Sequence, residues 1–386
     1  MERVYLDAAT SMPVRKEVLQ EMLPFFTDHF GNPSSIHEMG RLPREAMEKA
    51  RKEVASLISG DPSEIIFTSG ATESINLALR GPLPHIKDRK KVVMTQVDHR
   101  SVRSTVEALS ASGFKTKIIE IDERGRIDLD DAGSKIDKET AIVTMPFASN
   151  EVGTVQPVKE IVESAHSAGA LVHVDLTMSG FQSPFNVKDV GVDLATLSSS
   201  DLMGPKGTGA LFIRKGVRMT PIIRGGGQEM KLRSGSENIP GMVGMGAAAR
   251  IAKERMDEIS SHLKRLRDRL IGGLTSIKDS HLNGDPVSRL PNNANVRFDY
   301  IEGESMLLML DMNGISVATG SACAQKTLEA SKTLLAMGLK HEQAHGSLVF
   351  TLGPYNTEDD VDHVIGVMPE IVKELRAMSP IYPGEV

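Results

Sequence analysis

Glu64-Ile65-Ile66-Phe67-Thr68-Ser69-Gly70-Ala71-Thr72 carries a strand and the start of a helix with almost nothing between them. Residues 64–68 are largely apolar, with the composition of a strand buried on both faces of a sheet. Ser69-Gly70 breaks the run, and residues 71–80 then place apolar side chains at helical spacing. A buried strand that turns directly into a helix is the repeating unit of a doubly wound sheet. Working outward, strands are predicted at 91–95, 116–121, 141–145, 171–174, 194–197 and 209–213, and helices at 101–112 and 160–168. This alternation predicts an α/β fold with a mostly parallel sheet covered on both faces. In such sheets ligands sit beyond the carboxyl ends of the strands.

The second half of the chain changes pattern. Residues 244–278 read as one long helix with dense Arg, Lys and Glu on one face, bridging two domains. A strand at 294–298, a helix at 304–311, the short run 314–317, a strand at 348–352 and a helix at 357–378 follow, which is an α+β arrangement. The predicted division is a large domain over 13–254 and a small domain over 1–12 and 255–386, with the Cys323 loop in the small domain. Residues 382–386 read as a loose tail. Neither an internal repeat nor a low-complexity segment is evident.

Composition narrows the function classes. The chain has 386 residues, enough for a sizeable core in two or three units. Its net charge is −6, so there is no basic excess to hold a nucleic acid backbone. Its one cysteine, Cys323, excludes an internal disulfide framework and a thiolate-rich zinc site. The early charges and the lack of a long apolar run argue against a signal peptide and a membrane span, so a cytoplasmic location is expected.

Several residues could carry chemistry. Ser69-Gly70-Ala71-Thr72, at a strand-to-helix junction, is a natural phosphate site, although a simple helix cap would use the same residue types. Asp175 ends a predicted strand, where a carboxylate would meet a protonated ring nitrogen or serve as a cap. His99 follows another strand, where an imidazole could stack on a planar ligand, move a proton or merely be solvated. Gly225-Gly226-Gly227 with Arg233-Ser234-Gly235-Ser236 reads either as a lid-like loop or as a second phosphate contact. His341-Glu342-Gln343-Ala344-His345 matches the HExxH zinc pattern, but Gly346 ends that helix at once, so zinc is not expected. Cys323 sits among small and polar residues with Lys326 nearby, a setting for a reactive thiolate or a soft metal ligand.

Seven motifs occur in order: Gly31-Asn32-Pro33-Ser34-Ser35-Ile36-His37, Thr68-Ser69-Gly70-Ala71-Thr72-Glu73-Ser74, Ser149-Asn150-Glu151-Val152-Gly153, His173-Val174-Asp175, Gly204-Pro205-Lys206-Gly207, Arg233-Ser234-Gly235-Ser236 and Gly320-Ser321-Ala322-Cys323. With them the chain resembles, over essentially its whole length, the NifS/IscS-type cysteine desulfurases. These are class V aminotransferases of the fold type I pyridoxal-phosphate group. The resemblance implies a seven-stranded large domain and a homodimer. It also implies a role in supplying sulfur from cysteine for iron–sulfur clusters, with a small IscU-type scaffold as partner. By the same resemblance Ala71, Thr72 and Ser198 would meet the cofactor phosphate, joined by the partner subunit's Ser236. His99 would stack on the ring, Asn150 would lie near the ring oxygen, and Asp175 would hold the pyridine nitrogen. Cys323 would carry sulfur as a persulfide.

Four departures from the family pattern stand out. Asp201 occupies the position of the Schiff-base lysine, and a carboxylate cannot form an imine. Ser200 replaces the phosphate-binding His, and Met178 replaces the Gln that meets the ring oxygen. Val349 replaces the Arg that grips the substrate carboxylate. Lys206 belongs to the ordinary Gly-Pro-Lys-Gly turn. The resulting expectation is a cluster-assembly protein in which pyridoxal phosphate is absent or held weakly and non-covalently. Cys323 would take sulfur from sulfide or another carrier, or would ligate a [2Fe–2S] cluster shared with the scaffold. The alternatives are an active desulfurase with a substitute base, and a purely structural or regulatory dimer.

Overall fold

The structure, a computed structural model, describes residues 3–177, 183–320 and 330–384; Met178 and Cys323 lie outside them. Its strands in chain order are β1 Val4–Tyr5, β2 Ile65–Thr68, β3 Lys91–Thr95, β4 Lys115–Ile119, β5 Thr140–Pro146, β6 Leu171–Asp175 and β7 Leu194–Ser198. They continue with β8 Gly209–Ile213, β9 Ser280–Asn283, β10 Asn293–Phe298, β11 Ile315–Ser316, β12 Ala318–Thr319 and β13 Ser347–Thr351.

Among the described residues, β2 to β8 form one seven-stranded sheet in the order β2-β8-β7-β6-β5-β3-β4. The β3/β4, β3/β5, β5/β6 and β6/β7 pairs are parallel, whereas β8 runs antiparallel to both β2 and β7. The central strands are buried along their whole length, which is why they read as continuous apolar runs. Helices cover both faces, and the sheet divides the apolar interior into two clusters, one around Phe67, Val143, Val174 and Phe212, the other around Ile66, Leu77, Ile142 and Leu211.

The long helix expected over 244–278 is two helices, Ile239–Glu254 and Met256–Thr275, broken at Arg255 with φ −113° and ψ 14°. The first is apolar almost all round and lies in the large core. Its Gly246 approaches the helix Glu38–Leu57 so closely that a Cβ would come within 2.5 Å of the Ala50 Cα. The second is amphipathic and buries Ile259, Leu263, Leu266, Leu270 and Leu274 in a separate core with β10, β13 and the helix Glu358–Met378. The break is a single residue, and because the first helix is apolar almost all round, no change of face marks it in the sequence.

The second core also takes in Val4 and Leu6 from the start of the chain. It is built on the sheet β12-β13-β10-β9, with β1 and β11 paired alongside. Ala330, Leu334, Met337 and Ala344, late in the sequence, pack into the large core instead. The reading of residues 382–386 as a loose tail is corrected at Tyr382: its ring packs edge-on to Tyr300 at 5.6 Å, and the Arg376 guanidinium lies 5.5 Å above it. No helix among the described residues is long and apolar enough to cross a membrane.

Candidate cofactor cavity

A cavity of ≈ 280 Å³ opens at the carboxyl ends of the large sheet. The junction of β2 with the helix Ala71–Arg80 supplies one wall. Gly70 is the N-cap, with φ 142° and no side-chain cap bond, so the first-turn amides are left for a ligand. Only glycine adopts that φ without strain. Across from it, a Cβ on Gly209 would meet the Gly70 backbone at 2.7 Å, so β8 approaches closely enough to require glycine there too. Ser69, Ala71 and Thr72 line this wall, and Ser198 and Ser200 line the opposite one, with their hydroxyls 2.8 Å apart.

Glu73 complicates the cradle. Its Oε2 accepts from the Ser69 amide at 2.8 Å and its Oε1 accepts from Arg233 Nε at 3.1 Å. The arginine comes from the glycine-rich loop and offsets a carboxylate in the helix's first turn. That loop is not a free lid. The Glu229 carboxylate within it is buried, bonded by Arg51 at 2.7 and 2.8 Å and by the Phe67 amide at 2.7 Å.

The end of β6 lies behind the His99 wall of the cavity rather than in its lining. Asp175, the last residue of β6, is 3% exposed, and its Oδ1 accepts from the Thr177 amide at 2.9 Å. Burial raises its carboxyl above the usual range, while the Thr177 hydrogen bonds and nearby His99 pull it down. His99 is the N-cap of the helix Arg100–Ala111: its Nδ1 accepts from the Ser101 amide at 3.2 Å and lies 2.7 Å from the Ser101 hydroxyl. This anchors the imidazole while leaving it in the cavity wall. Behind it, Asp98 accepts from the Thr95 amide at 2.6 Å and the Thr95 hydroxyl at 2.8 Å, and burial pushes its carboxyl up to about 7. Asp98 stands beside His99 in the sequence and was overlooked there. Its only signal is its place three residues past the end of a buried strand.

The turn between β7 and β8 forms the roof. It is closed by bonds from the Ser199 amide to the Thr208 carbonyl and from the Gly204 amide to the Ser199 carbonyl. Asp201 lies in its short 3-10 helix, Ser200–Leu202, and lines the cavity; the Ser200 hydroxyl is 3.4 Å from its Oδ1. Lys206 lines the same cavity, and its Nζ donates to the Met12 carbonyl at 3.0 Å. Thr10 and Thr177 complete the wall, neither having been singled out by the sequence.

The predicted residues therefore divide. Ala71, Thr72, His99, Ser198, Ser200 and Asp201 come together in the lining, with Asp175 buried close to His99. Asn150 is not among the lining residues, and its carbonyl accepts from Asn293 at 3.2 Å. Ser236 is exposed and also outside this chain's lining. Val349 is buried in β13, paired with Asn295 and Ala318. A larger cavity of ≈ 700 Å³ is lined by Gly303, Thr319, Ala330, His341, Glu342 and His345. The helix His341–His345 ends at Gly346 as expected, and the described residues contain no group of three or more side chains able to hold a metal.

Tested against pyridoxal phosphate, the cradle fits the phosphate, and His99 in the lining with Asp175 buried close to it fits the ring. The roof does not fit the aldehyde, because the residue at position 201 is a carboxylate.

Sheet order and cradle are those of a fold type I pyridoxal-phosphate transferase. The chain matches the family described as Aminotransferase class-V over residues 4–364. It is 50% identical to a protein named cysteine desulfurase IscS 1 from Archaeoglobus fulgidus, over 98% of this chain and 99% of that one. It is 45% identical to cysteine desulfurase IscS of Methanosarcina thermophila, over 99% of this chain and 95% of that one. Among solved structures, a NifS-like protein superposes with a TM-score of 0.90 at 38% identity, covering 97% of this chain and all of the other (100%). The apo structure of a cysteine desulfurase from Thermococcus onnurineus superposes with a TM-score of 0.86 at 27% identity, over 97% of this chain and 95% of that one. The chain belongs to the class V aminotransferases and, within them, to the NifS/IscS cysteine desulfurase family, whose cofactor is pyridoxal phosphate.

Proposed function

We propose that this chain serves iron–sulfur cluster assembly through Cys323, and that pyridoxal-phosphate desulfuration is lost or severely impaired. The observation that carries this reading is Asp201, a carboxylate in the cavity roof where the family has its lysine. It removes the covalent anchor and adds negative charge near a phosphate site. Ser200, Met178 and Val349 act in the same direction, each replacing a longer polar group by a small or apolar one. When bound, pyridoxal phosphate supplies an electron sink. Ala71, Thr72 and Ser198 would hold its phosphate, Asp175 its pyridine nitrogen and His99 its ring face, all non-covalently.

Cys323 keeps two uses that need no cofactor. As a carrier, its thiolate attacks the outer sulfur of a carrier protein's persulfide. The new S–S bond forms as the old one breaks, and the carrier leaves as a thiolate, so no oxidant is consumed. As a ligand, it supplies one of the roughly four soft groups that a [2Fe–2S] cluster needs. The remaining ligands come from the partner, an IscU-type scaffold bound to a homodimer in the cytoplasm, with iron and sulfide as cargo. The names of the similar proteins support the family setting of this role.

A second reading is an active desulfurase that converts L-cysteine to L-alanine and uses a substitute amine. What favours it is Lys206, whose side chain lines the same cavity.

The test is anaerobic purification, alone and with a co-expressed scaffold, followed by absorbance spectra with and without pyridoxal phosphate and cysteine. The expected result is no covalent cofactor band, no sulfide, and iron–sulfur absorption in the co-purified sample that disappears in Cys323→Ser. Catalytic sulfide release that depends on added cofactor would overturn the proposal and support the second reading.

A further inference from the structure

We propose that Glu151 is a positioning residue that ties together the two roots of the segment carrying Cys323. The inference rests on the reading above only in taking Cys323 as the working group. The roots belong to different cores. On one side, β12 pairs with β13 in the small sheet, Ala318 opposite Val349 and Thr319 opposite Leu348. On the other, Ala330, Leu334 and Met337 pack into the large core, and Ser331 caps the helix Lys332–Ala336 by accepting from the Leu334 amide at 3.1 Å. Gly320 thus follows a strand of the small sheet, and Ala330 is buried in the large core.

Glu151 stands where the two roots meet. Its carboxyl lies so close to Gly320 that a Cβ there would sit 2.2 Å from Oε1 and 3.0 Å from Cδ. From the other root, the Ser331 and Thr333 hydroxyls face the same carboxyl and favour its ionised form. Glu151 keeps some exposed surface as a residue, yet its Oε1 is sealed from solvent and has no hydrogen-bond partner. Burial, the larger influence, pushes the carboxyl up to about 7. Its own backbone is pinned from the small domain, since its carbonyl accepts from Asn295 at 3.1 Å and from Asn293 at 3.3 Å. A large-domain loop, clamped by a small-domain strand, thus places one carboxyl against both ends of the segment. Gly320 follows from the same geometry: any side chain there would displace the carboxyl.

The sole cysteine makes the test direct, because a thiol reagent reads Cys323 and nothing else. Trypsin cleavage at Lys326 reads the same segment independently. Measured on the full chain, Glu151→Ala and Gly320→Ala should each raise alkylation and cleavage rates about tenfold by freeing one root. Glu151→Gln, which keeps the shape and the acceptor oxygen, should restore rates to within about twofold of the parent. Should Glu151→Ala fail to fold, Thr333→Val removes one hydroxyl from the carboxyl without touching Gly320 and should move both rates in the same direction. Unchanged rates in the folded variants would overturn the proposal. Rates that rise as expected, while Cys323→Ser leaves cluster assembly intact, would keep the role of Glu151 and remove that of Cys323.

Discussion

Asp175 ends β6 and Asp201 lies just past β7, the neighbouring parallel strand; Asp201 lines the cavity, while Asp175 is buried close to His99 in the cavity wall. Asp175 ends β6 itself, buried, with Thr177 donating to it. Asp201 lies in the turn just past β7, half-buried, on the roof that should supply an amine. One carboxylate is suited to a protonated ring nitrogen and the other is opposed to a phosphate and an aldehyde. The same side chain, moved from the end of β6 to the roof, changes from a cofactor ligand to an obstacle. The cradle around Gly70, meanwhile, keeps the backbone geometry of an anion site. On the reading proposed above, what separates this chain from an ordinary desulfurase site is side-chain chemistry on a retained backbone frame.

The comparison can be broken at several points. The largest effect is expected from Asp201→Lys, which puts an amine on the roof. Borohydride reduction followed by peptide mass analysis should then find cofactor fixed at residue 201, where the parent chain retains none. Failure would mean that the frame has drifted as well as the side chain. Next, Arg51→Met should cost about 3–5 kcal/mol in urea unfolding, because it strands the buried Glu229 carboxylate that also holds the Phe67 amide.

Asp98 gives a smaller, pH-dependent effect. Its folded pKa of about 7 lies above its ordinary value of 3.8. The native state therefore binds more protons than the unfolded chain between those values. The penalty of ionising Asp98 is absent below pH 4, grows as pH rises through 4–7 and is complete above. Unfolding curves for Asp98→Asn should lose that slope and gain about 2–4 kcal/mol relative to the parent between pH 4 and pH 8. The smallest effect is expected from Gly70→Ala. No atom lies within 4 Å of the added Cβ, so only the backbone strain at φ 142° counts, about 1–3 kcal/mol in thermal or urea unfolding. A larger loss would show that the cradle is packed more tightly than its geometry indicates.

Much of the large domain was legible because its strands are buried on both faces and its helices follow them at once. The runs at 64–68, 91–95 and 209–213 needed no tertiary information. The break at Arg255 was hidden, since a helix apolar almost all round offers no face whose change would mark its end. His99 as a helix cap and Glu229 as the partner of Arg51 were hidden for a different reason: both depend on hydrogen bonds that leave no periodicity in the chain.

By itself the sequence determined the βα alternation, the glycine-marked cradle, the single thiol and the carboxylate at position 201. These are local properties, set by residue type, spacing and backbone preference. Only the tertiary structure decided that Asp98 would be buried behind His99, that residues 330–344 would contribute to the large core, and that Glu151 would lie against Gly320. Those relations depend on how elements distant in the chain pack against one another around two cores, which no local pattern encodes.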